Sequence, residues 1–252
     1  ASGTYKGGFV INAEGEKEAI KGRSSFIMKK KVKVYPDTLC WLKDLTYAYN
    51  EPFVREYFSH IGYDNYPVVG VNWHQAQAFC NWRTQYFNSN AGVRVQAWRL
   101  PNEVEWEYAA RGGLSGAKYP WGGPYTRNKK GCFLANFKPL RGNYISDGGF
   151  TTVPVGTYEP NGFGLYDMAG NVAEWTGDAF DESAYQVTHD LSPYYQITAK
   201  KSDNKILKRK VIRGGSWKDI AYFMQCGVRT YEYADSARSF IGFRTVRTRI
   251  EY

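Results

Sequence analysis

The chain has 252 residues, a formal net charge of +9 and an aromatic content of 17%, with 8 Trp, 21 Tyr and 14 Phe. This length allows one large domain or two small ones, and no apolar run reaches the roughly 18 residues of a membrane-spanning helix. Many aromatic residues between dense glycine turns disfavour a helical bundle and favour a loop-rich domain. The absence of zinc-finger spacing and of an RNA-recognition motif disfavours nucleic-acid binding.

Residues 1–33 are polar and rich in glycine, and we interpret them as a lead-in segment. Residues 34–252 contain no internal repeat and no interior linker. We therefore predict that they form a single domain.

The first predicted helix lies within residues 69–88. Asn72 is its N-cap, and Gln75, three residues on, is the reciprocal partner of a capping box. One packed stripe then follows at helical spacing and comprises Ala76, Phe79, Cys80 and Arg83.

The second predicted helix lies within residues 99–113. Asn102 is its cap, Glu105 is the capping-box partner, and Gly112 with Gly113 ends the helix. From residue 114 onwards the strands are short and turn signals recur every few residues. The predicted fold class is therefore α+β, with two main helices, short strands and much ordered loop.

Positive charge is concentrated in residues 28–34 and 199–210. Such clusters bind nucleic acid, an anionic surface or an acidic protein, or they simply face water. The second cluster supplies the candidate partner-binding residues, which are Lys200, Lys201, Lys205, Lys208, Arg209 and Lys210. An acidic protein or phospholipid head groups would suit these side chains.

The four cysteines, Cys40, Cys80, Cys132 and Cys226, are far apart and form no CxxC pair. This spacing excludes the usual zinc and redox motifs. Cys40 and Cys80 lie in apolar contexts, where a thiol is most often a small buried hydrophobe. The sequence leaves open one disulfide among the four.

The glycine turns between residues 134 and 178 carry several side-chain oxygens. Asn171 and Glu174 lie three residues apart in one turn, and Asn136 and Asp147 flank another. Calcium takes six to eight oxygen ligands at flexible geometry, and the lack of His or thiolate disfavours zinc and copper. The alternative interpretation is that these side chains brace tight turns through hydrogen bonds.

Nucleophilic catalysis has little support in the sequence. The three histidines lie in unrelated contexts, and the "RGGSW" stretch lacks the final glycine of a nucleophile elbow. Cys226 has Arg229 nearby, which could lower the pKa of its thiol, but a structural cysteine is the better interpretation. Glu103, Glu105 and Glu107 are better explained by helix capping than as a catalytic pair.

Five blocks, in this order, resemble the formylglycine-generating-enzyme (sulfatase-modifying factor) domain family: "RLPNEVEWEYAARGG", "YPWGG", "NGFGLYDMAGNVAEWTGD", "VIRGGSW" and "SFIGFRTVR". The resemblance runs from about Tyr66 to Arg247 and implies a C-type-lectin-like fold. It also implies structural calcium, bound by the side chains and backbone carbonyls of Asn136, Phe137, Asp147, Phe150, Asn171, Val172 and Glu174. The "SDGGF" block departs from the family pattern by one additional glycine.

In catalytic members of this family, two cysteines after the G-G-S-F/W motif bind copper and activate oxygen. Here Asp219 occupies the first of these positions, and the second falls at or near Met224. A carboxylate and a thioether cannot supply the paired thiolates that Cu(I) requires. We therefore expect a pseudoenzyme that binds no copper.

A narrower resemblance, over about residues 34–250, is to the gliding-motility lipoproteins of GldK/PorK type from Bacteroidetes. It rests on blocks at residues 34–52, 63–84, 131–150 and 207–225. It implies a non-catalytic structural subunit of the type IX secretion system, on the periplasmic face of the outer membrane. There it would form a ring of its own copies with a GldN/PorN-type periplasmic protein. We expect the lipid anchor and the first part of the domain to lie outside this chain.

Two other hypotheses remain open at this point. The first is a calcium-dependent lectin that binds glycan or peptidoglycan, suggested by the implied fold and the tryptophans. The second is an oxidase of the same family with altered chemistry, using Cys226 or a metal other than copper.

Overall fold

The computed structural model describes residues 9–11, 16–19, 31–47, 50–91, 95–139, 143–187, 193–200 and 202–248. The chain forms two compact units, residues 1–33 and 34–252. In the first unit, β1 (Phe9–Ile11) and β2 (Lys17–Ala19) pair as an antiparallel hairpin. No helix within the described ranges has the length and apolarity needed to cross a membrane.

The second unit mixes helices and short strands, which confirms the predicted α+β class. Its helices are α1 (Cys40–Asp44), α2 (Glu51–Glu56), α3 (Trp73–Asn90), α4 (Glu103–Arg111) and α5 (Ala184–Val187). Its strands are β3 (Trp98–Arg99), β4 (Ala173–Ala179), β5 (Arg209–Arg213), β6 (Thr230–Tyr233), β7 (Ile241–Phe243) and β8 (Val246–Arg247).

The first predicted helix is confirmed as α3. The Gln75 N–H donates to Asn72 Oδ1 at 2.9 Å, and the Asn72 N–H donates to Gln75 Oε1 at 2.8 Å. Ala76 and Cys80 are buried, whereas Phe79 is 39% exposed. The packed stripe of the helix is therefore narrower than the spacing predicted.

The second predicted helix is confirmed as α4. Its capping box joins Asn102 to Glu105, and Gly112 ends it in the left-handed region at φ 56°. Helices α1, α2 and α5 were not predicted because four to six residues carry too little periodic pattern.

The central sheet has the strand order β6-β5-β4-β7. Strand β4 lies antiparallel to β5 and parallel to β7, and every residue of β4 is buried. Strands β3 and β8 form a separate two-stranded sheet. Burial of β4 places Glu174, Thr176 and Asp178 inside the protein, where each polar side chain needs a partner.

The main core is aromatic. Trp41 and Trp175 are fully buried, and Trp41 stacks on Phe53 with ring centroids 4.8 Å apart and on Trp217 at 6.2 Å. Stacked aromatic pairs stabilise a fold by about 0.5–1.5 kcal/mol beyond their area burial. Trp217 comes from the loop after β5, so that loop is part of the core.

All four cysteines are free thiols, which answers the disulfide question that the sequence left open. Cys40, Cys80 and Cys226 are buried, and Cys132 is exposed. Burial raises the pKa of Cys40 to about 12 and the pKa of Cys80 to about 11. Both behave as small apolar side chains, as their sequence contexts predict.

Candidate functional site

The loop after β5 begins with two glycines that no other residue can replace without strain. Gly214 and Gly215 have φ 93° and 66°. A Cβ on Gly215 would lie 2.9 Å from the backbone of Phe223, so the loop folds tightly back on itself. The loop is tied to the turn before β4, because the Trp217 N–H donates to the Asn171 carbonyl at 2.9 Å.

Asp219, at the first position that carries cysteine in catalytic members, braces this loop. Ser216 Oγ donates to Asp219 Oδ2 at 2.6 Å, and the Asp219 N–H donates to the Ser216 carbonyl at 2.9 Å. Burial raises the pKa of Asp219, and the Ser216 hydrogen bond opposes that rise. The carboxylate is held inside its own turn rather than presented to a substrate.

Met224 and Cys226 are core residues. Met224 is fully buried with Tyr119, Ala135, Phe137 and Ala169. Cys226 is buried in a second cluster, and burial raises the pKa of its thiol to about 11, although Arg111 opposes this. The suggestion that Arg229 lowers this pKa is wrong, because the Arg229 guanidinium binds the Glu103 carboxylate at 2.5 and 2.7 Å.

The glutamates of α4 are each held by an arginine. Glu103 binds Arg229, Glu105 binds Arg99 through two hydrogen bonds of 2.6 Å, and Glu107 binds Arg111. Glu107 also pairs with Arg213, a fully buried residue that donates to the Cys226 carbonyl at 2.7 Å. These glutamates therefore hold α4 to the sheet and the loop, as expected for structural residues.

Asn136 and Asp147 lie together, as the calcium prediction requires. The Phe137 N–H donates to Asp147 Oδ2 at 2.6 Å, so the carboxylate lies against the residue that follows Asn136. Asn136 Nδ2 donates to the Thr151 carbonyl at 2.8 Å, whereas the buried Asn136 Oδ1 has no partner.

Burial raises the pKa of Asp147, which is the response of a carboxylate that lacks a cationic neighbour. An unpartnered amide oxygen beside such a carboxylate fits a hard cation. The additional glycine of the "SDGGF" block, Gly149, is needed here, since a Cβ would lie 2.5 Å from the Val153 side chain. Phe150 would serve as a ligand only through its carbonyl, because its side chain carries no oxygen.

Asn171 fits the alternative interpretation better than it fits a metal ligand. Its backbone is left-handed at φ 61°. Asn171 Oδ1 accepts from the Val153 N–H at 3.1 Å, and Nδ2 donates to the Val153 carbonyl at 3.1 Å. Both polar atoms of the amide therefore brace the chain at Val153.

Glu174 already has a cation beside it. Its carboxylate accepts from Arg244 Nε at 2.5 Å and Arg244 Nη2 at 2.6 Å, and from Trp106 Nε1 at 2.7 Å. The prediction of a calcium ligand at Glu174 remains a prediction, and any metal there would have to share this carboxylate with Arg244.

An open cleft of about 420 Å³ lies beside Glu174. Its walls include Tyr66, Tyr166, Phe243 and the Val172 side chain, with Arg244 at its polar end. Asp167 also lines it, with a left-handed backbone at φ 54° and a pKa raised by burial. Asp167 was not predicted as a site residue, although its position three residues before Gly170 in the same glycine turn is a signal in the sequence.

The described ranges contain no cluster of three or more His, Cys, Asp or Glu side chains that could hold a metal ion. A cation at either candidate position would therefore depend on amide and backbone oxygens in addition to one or two carboxylates.

The residues of the predicted partner-binding cluster differ in their exposure. Lys200 and Lys205 are exposed, and Arg209 is half-buried with its guanidinium 4.2 Å from the Tyr231 ring. Lys208 is half-buried, and Lys201 lies outside the described residues.

Lys210 is buried and does not belong to that surface, which corrects the prediction. Its ammonium lies 4.2 Å from the Trp73 ring, and burial lowers its pKa, although Asp178 opposes this. Lys210 lies in strand β5, in which every residue from Lys210 to Arg213 is buried.

Comparison with known proteins assigns this chain to a family. A family model described as "Sulfatase-modifying factor enzyme 1-like domain" matches residues 24–249. The chain belongs to this sulfatase-modifying factor family. The family membership expected from the five sequence blocks is thus confirmed.

Relatives of this sulfatase-modifying factor domain include proteins named as active and as inactive. The formylglycine-generating enzyme of Streptomyces coelicolor is 35% identical over 189 residues, covering 73% of this chain and 53% of that protein. The inactive C-alpha-formylglycine-generating enzyme 2 of Bos taurus is 35% identical over 185 residues, covering 71% of this chain and 49% of that protein. The chain thus spans about half the length of these relatives.

Among solved structures, PvdO from Pseudomonas aeruginosa superposes with a TM-score of 0.56 and 28% identity. The match covers 73% of this chain and 62% of PvdO. The fold of this sulfatase-modifying factor domain is consistent with the C-type-lectin-like architecture that the sequence resemblance implied.

Proposed function

We propose that this chain is a non-catalytic structural subunit of the type IX secretion and gliding machinery, of the GldK/PorK type. The observation that carries the non-catalytic role is the loop at residues 216–226. Asp219 and Met224 stand at or near the positions of the paired cysteines of catalytic members, and the remaining thiol of the loop, Cys226, is buried.

The chemistry of that loop supports a structural role. Cu(I) binding and thiol–disulfide exchange both require accessible thiolates. A thiol with a pKa near 11 is protonated at neutral pH, and it is enclosed beside Trp106 and Met168. Met224 and Trp217 contribute core packing instead, so the loop that served chemistry in catalytic relatives here stabilises the fold.

In this proposal the protein lies on the periplasmic face of the outer membrane, held by a lipid anchor outside this chain. Copies of it form a ring with a GldN/PorN-type periplasmic protein. Support for this location and for the ring comes from the narrower sequence resemblance alone, whereas the relatives that are named inactive support the non-catalytic role.

We also propose that structural calcium binds at Asn136 and Asp147. Bound calcium would neutralise the carboxylate and engage the unpartnered Asn136 Oδ1, tying together two loops that lack sheet hydrogen bonds. The residues near Glu174 are a weaker calcium position, because Arg244 already balances that carboxylate.

The test of the structural role is the native mass of this protein after gentle extraction from outer membranes, with mass-spectrometric identification of its subunits. The proposal expects a particle of many copies with one dominant second protein. A small, partner-free species would contradict the proposal and would return attention to chemistry at Cys226.

A second candidate function is a lectin that binds glycan or peptidoglycan. The observation that favours it is the cleft of about 420 Å³, because aromatic walls beside paired polar groups suit sugar rings. Retention on a peptidoglycan matrix that is lost with chelator would support this function. Absent or chelator-insensitive retention would remove it.

A further inference from the structure

The segment from Gly112 to Ser146 has an extreme charge composition. It contains six basic residues and no Asp or Glu, the basic residues being Lys118, Arg127, Lys129, Lys130, Lys138 and Arg141. Arg141 lies outside the described residues. Its charges are spread along the segment, so the sequence does not display it as a basic cluster.

The basic side chains of this segment that the structure describes are not paired with carboxylates of other described residues. Among the residues that the structure describes, none of its five basic side chains forms a salt bridge. Arg127 instead covers the Phe133 ring at 3.7 Å, and the Lys138 ammonium lies 5.1 Å from the Tyr144 ring. Elsewhere the pattern is opposite, since Arg99, Arg229 and Arg244 each bind a glutamate.

The same segment is hydrogen-bonded to the loop at residues 216–226. The Lys138 N–H donates to the Asp219 carbonyl at 2.9 Å, and the Cys226 N–H donates to the Lys118 carbonyl at 2.9 Å. Between them, Tyr119 Oη donates to the Ala221 carbonyl at 3.1 Å. The two lysines therefore lie at the two ends of the loop that carries chemistry in catalytic relatives.

Lys129 and Lys130 stand on a rigid turn. Asn128 Oδ1 accepts from the N–H groups of Lys130 and Cys132 at 2.9 and 3.0 Å, and a bridge joins Arg127 to Phe133 at the base of the turn. Phe133 packs in the same cluster as Met224, which fixes the turn to the core beneath the loop. Both lysine side chains are exposed.

Exposed apolar and tyrosine side chains lie among these charges. Ile220 and Tyr222 from the loop are 38% and 56% exposed, and Tyr144 and Ile145 are 48% and 57% exposed. Tyrosine and other aromatic residues are enriched in protein interfaces and carry much of their binding energy. The surface formed by Lys118, Lys129, Lys130, Lys138, Ile220 and Tyr222 is named the basic face.

We propose that the basic face binds an acidic segment of a partner protein. The loop at residues 216–226, which carries the chemistry in catalytic relatives, would here contact a subunit. This inference rests on the scaffold role proposed above and adds the surface and the chemistry of its partner. Unbalanced cations attract carboxylates and raise the association rate. The exposed Ile220 and Tyr222 side chains among these cations favour a protein interface, in which aromatic residues are enriched.

Acidic side chains also touch this region, but among the described residues they form no salt bridge with its lysines and arginines. Asp147 accepts the Phe137 N–H at 2.6 Å, and Asp219 accepts from Ser216 Oγ at 2.6 Å. Glu159 lines a small cavity with Pro120 and Trp121 and has no salt bridge among the described residues. A partner with several carboxylates would therefore find an excess of positive charge.

Zero-length carbodiimide cross-linking of the complex extracted from outer membranes tests the proposal, because this reagent joins only amines and carboxylates that already touch. We expect cross-links from Lys118, Lys129, Lys130 or Lys138 to Asp or Glu of the second protein. The double variant Lys129→Glu with Lys130→Glu should reduce partner retention about tenfold. The matched control, Lys200→Glu with Lys205→Glu, reverses two equally exposed charges and should change retention less than about twofold.

The outcomes separate the inference from the scaffold role on which it rests. A particle without a second protein overturns both. A particle that keeps its partner in the Lys129/Lys130 variant, or is cross-linked elsewhere, overturns the inference and leaves the scaffold role standing. Equal loss in the control variant means non-specific attraction and also overturns it. One more outcome would overturn the inference. In it the wild type binds vesicles of phosphatidylglycerol and phosphatidylcholine, the Lys129/Lys130 variant does not bind them, and the two proteins retain the partner equally.

Discussion

The glutamates around α4 and β4 and four aspartates, of which three lie in loops and Asp178 lies in β4, carry the same charge but are buried in different ways. Glu103, Glu105, Glu107 and Glu174 are each held by an arginine. Asp147, Asp167 and Asp178 accept backbone N–H groups, Asp219 accepts the Ser216 hydroxyl, and burial raises the pKa of all four.

This difference shows where outside ions can act. In the glutamate region each charge is balanced by a residue of the same chain, so the region is a fixed brace between α4, the sheet and the loop. In the aspartate region, burial disfavours the charged form of each carboxyl group, and the hydrogen bonds to these groups offset this effect only in part. A metal ion, a proton or a partner therefore has most to contribute at the aspartates.

The largest effect is expected from breaking the brace at Glu174. Glu174→Ala removes the partner of the Arg244 guanidinium and of Trp106 Nε1. Loss of one member of a buried ion pair lowers the free energy of unfolding by about 3–5 kcal/mol, measured by urea denaturation. Glu159→Ala, at an exposed glutamate, is the control with an expected change below about 0.5 kcal/mol. A loss below about 1 kcal/mol for Glu174→Ala would show that the brace is not needed.

Calcium removal should have the next largest effect on stability. We expect this effect to arise from the site in the aspartate region. Calcium at about a hundred times its Kd stabilises a folded protein by about 2.7 kcal/mol, which corresponds to a Tm shift of about 5–10 °C at this size. Excess chelator should therefore lower the Tm of the wild type by that amount. Asn136→Ala should have a lower Tm that chelator does not change further. An unchanged wild-type Tm would contradict the calcium site.

Acid pH should stabilise the fold through Asp178. Burial raises its pKa in the folded protein to about 6 from an ordinary value of 3.8. The N–H groups of Glu103 and Tyr195, which its carboxylate accepts, and the nearby Lys210 oppose this rise only in part. The folded state thus binds more protons than the unfolded state between these values. The contribution is present below pH 3.8 and is lost as the pH rises through about 6.

Asp178→Asn removes this titration. We expect the difference in unfolding free energy between wild type and variant to shift by up to about 3 kcal/mol across that pH window, measured by urea denaturation at several pH values. Parallel pH profiles for the two proteins would show that Asp178 titrates normally.

The smallest effect is expected at Cys226, which lies in the arginine-braced region but has no charge to balance. Its high pKa and burial predict that iodoacetamide at pH 8 labels Cys132 alone in the native protein. Cys226→Ala should lower the unfolding free energy by only about 1 kcal/mol. Rapid native labelling of Cys226 would reveal an accessible thiol and would reopen the oxidase hypothesis.

Local features of the fold were predictable from the sequence. The capping boxes at Asn72 and Asn102 involve residues three apart, so the sequence itself displays them. The arginine partners were not predictable, because Glu103 meets Arg229 and Glu174 meets Arg244 only after the sheet has formed. The burial of Lys210 was not predictable for the same reason, since β5 lies between β4 and β6 in the sheet and all its residues from Lys210 to Arg213 are buried.

Contacts between distant residues also limited what could be predicted of the candidate site. The sequence indicated which turns hold oxygen ligands, but it could not show that Val153 occupies the amide of Asn171 while Asn136 Oδ1 stays unpartnered. Asp167 was overlooked because a single aspartate in a glycine turn is usually a turn residue. Its significance comes from the cleft, whose walls are contributed by distant segments.

The non-catalytic role is tested most directly by one combined assay of the purified protein. Cu(I) is titrated, and a cysteine-containing peptide is then offered with oxygen, with an active formylglycine-generating enzyme as the positive control. We expect no stoichiometric Cu(I) binding and no conversion of the peptide, because Asp219 and Met224 replace the paired thiolates and Cys226 is enclosed. One tightly bound Cu(I) per chain with oxygen-dependent conversion of the peptide would contradict this account.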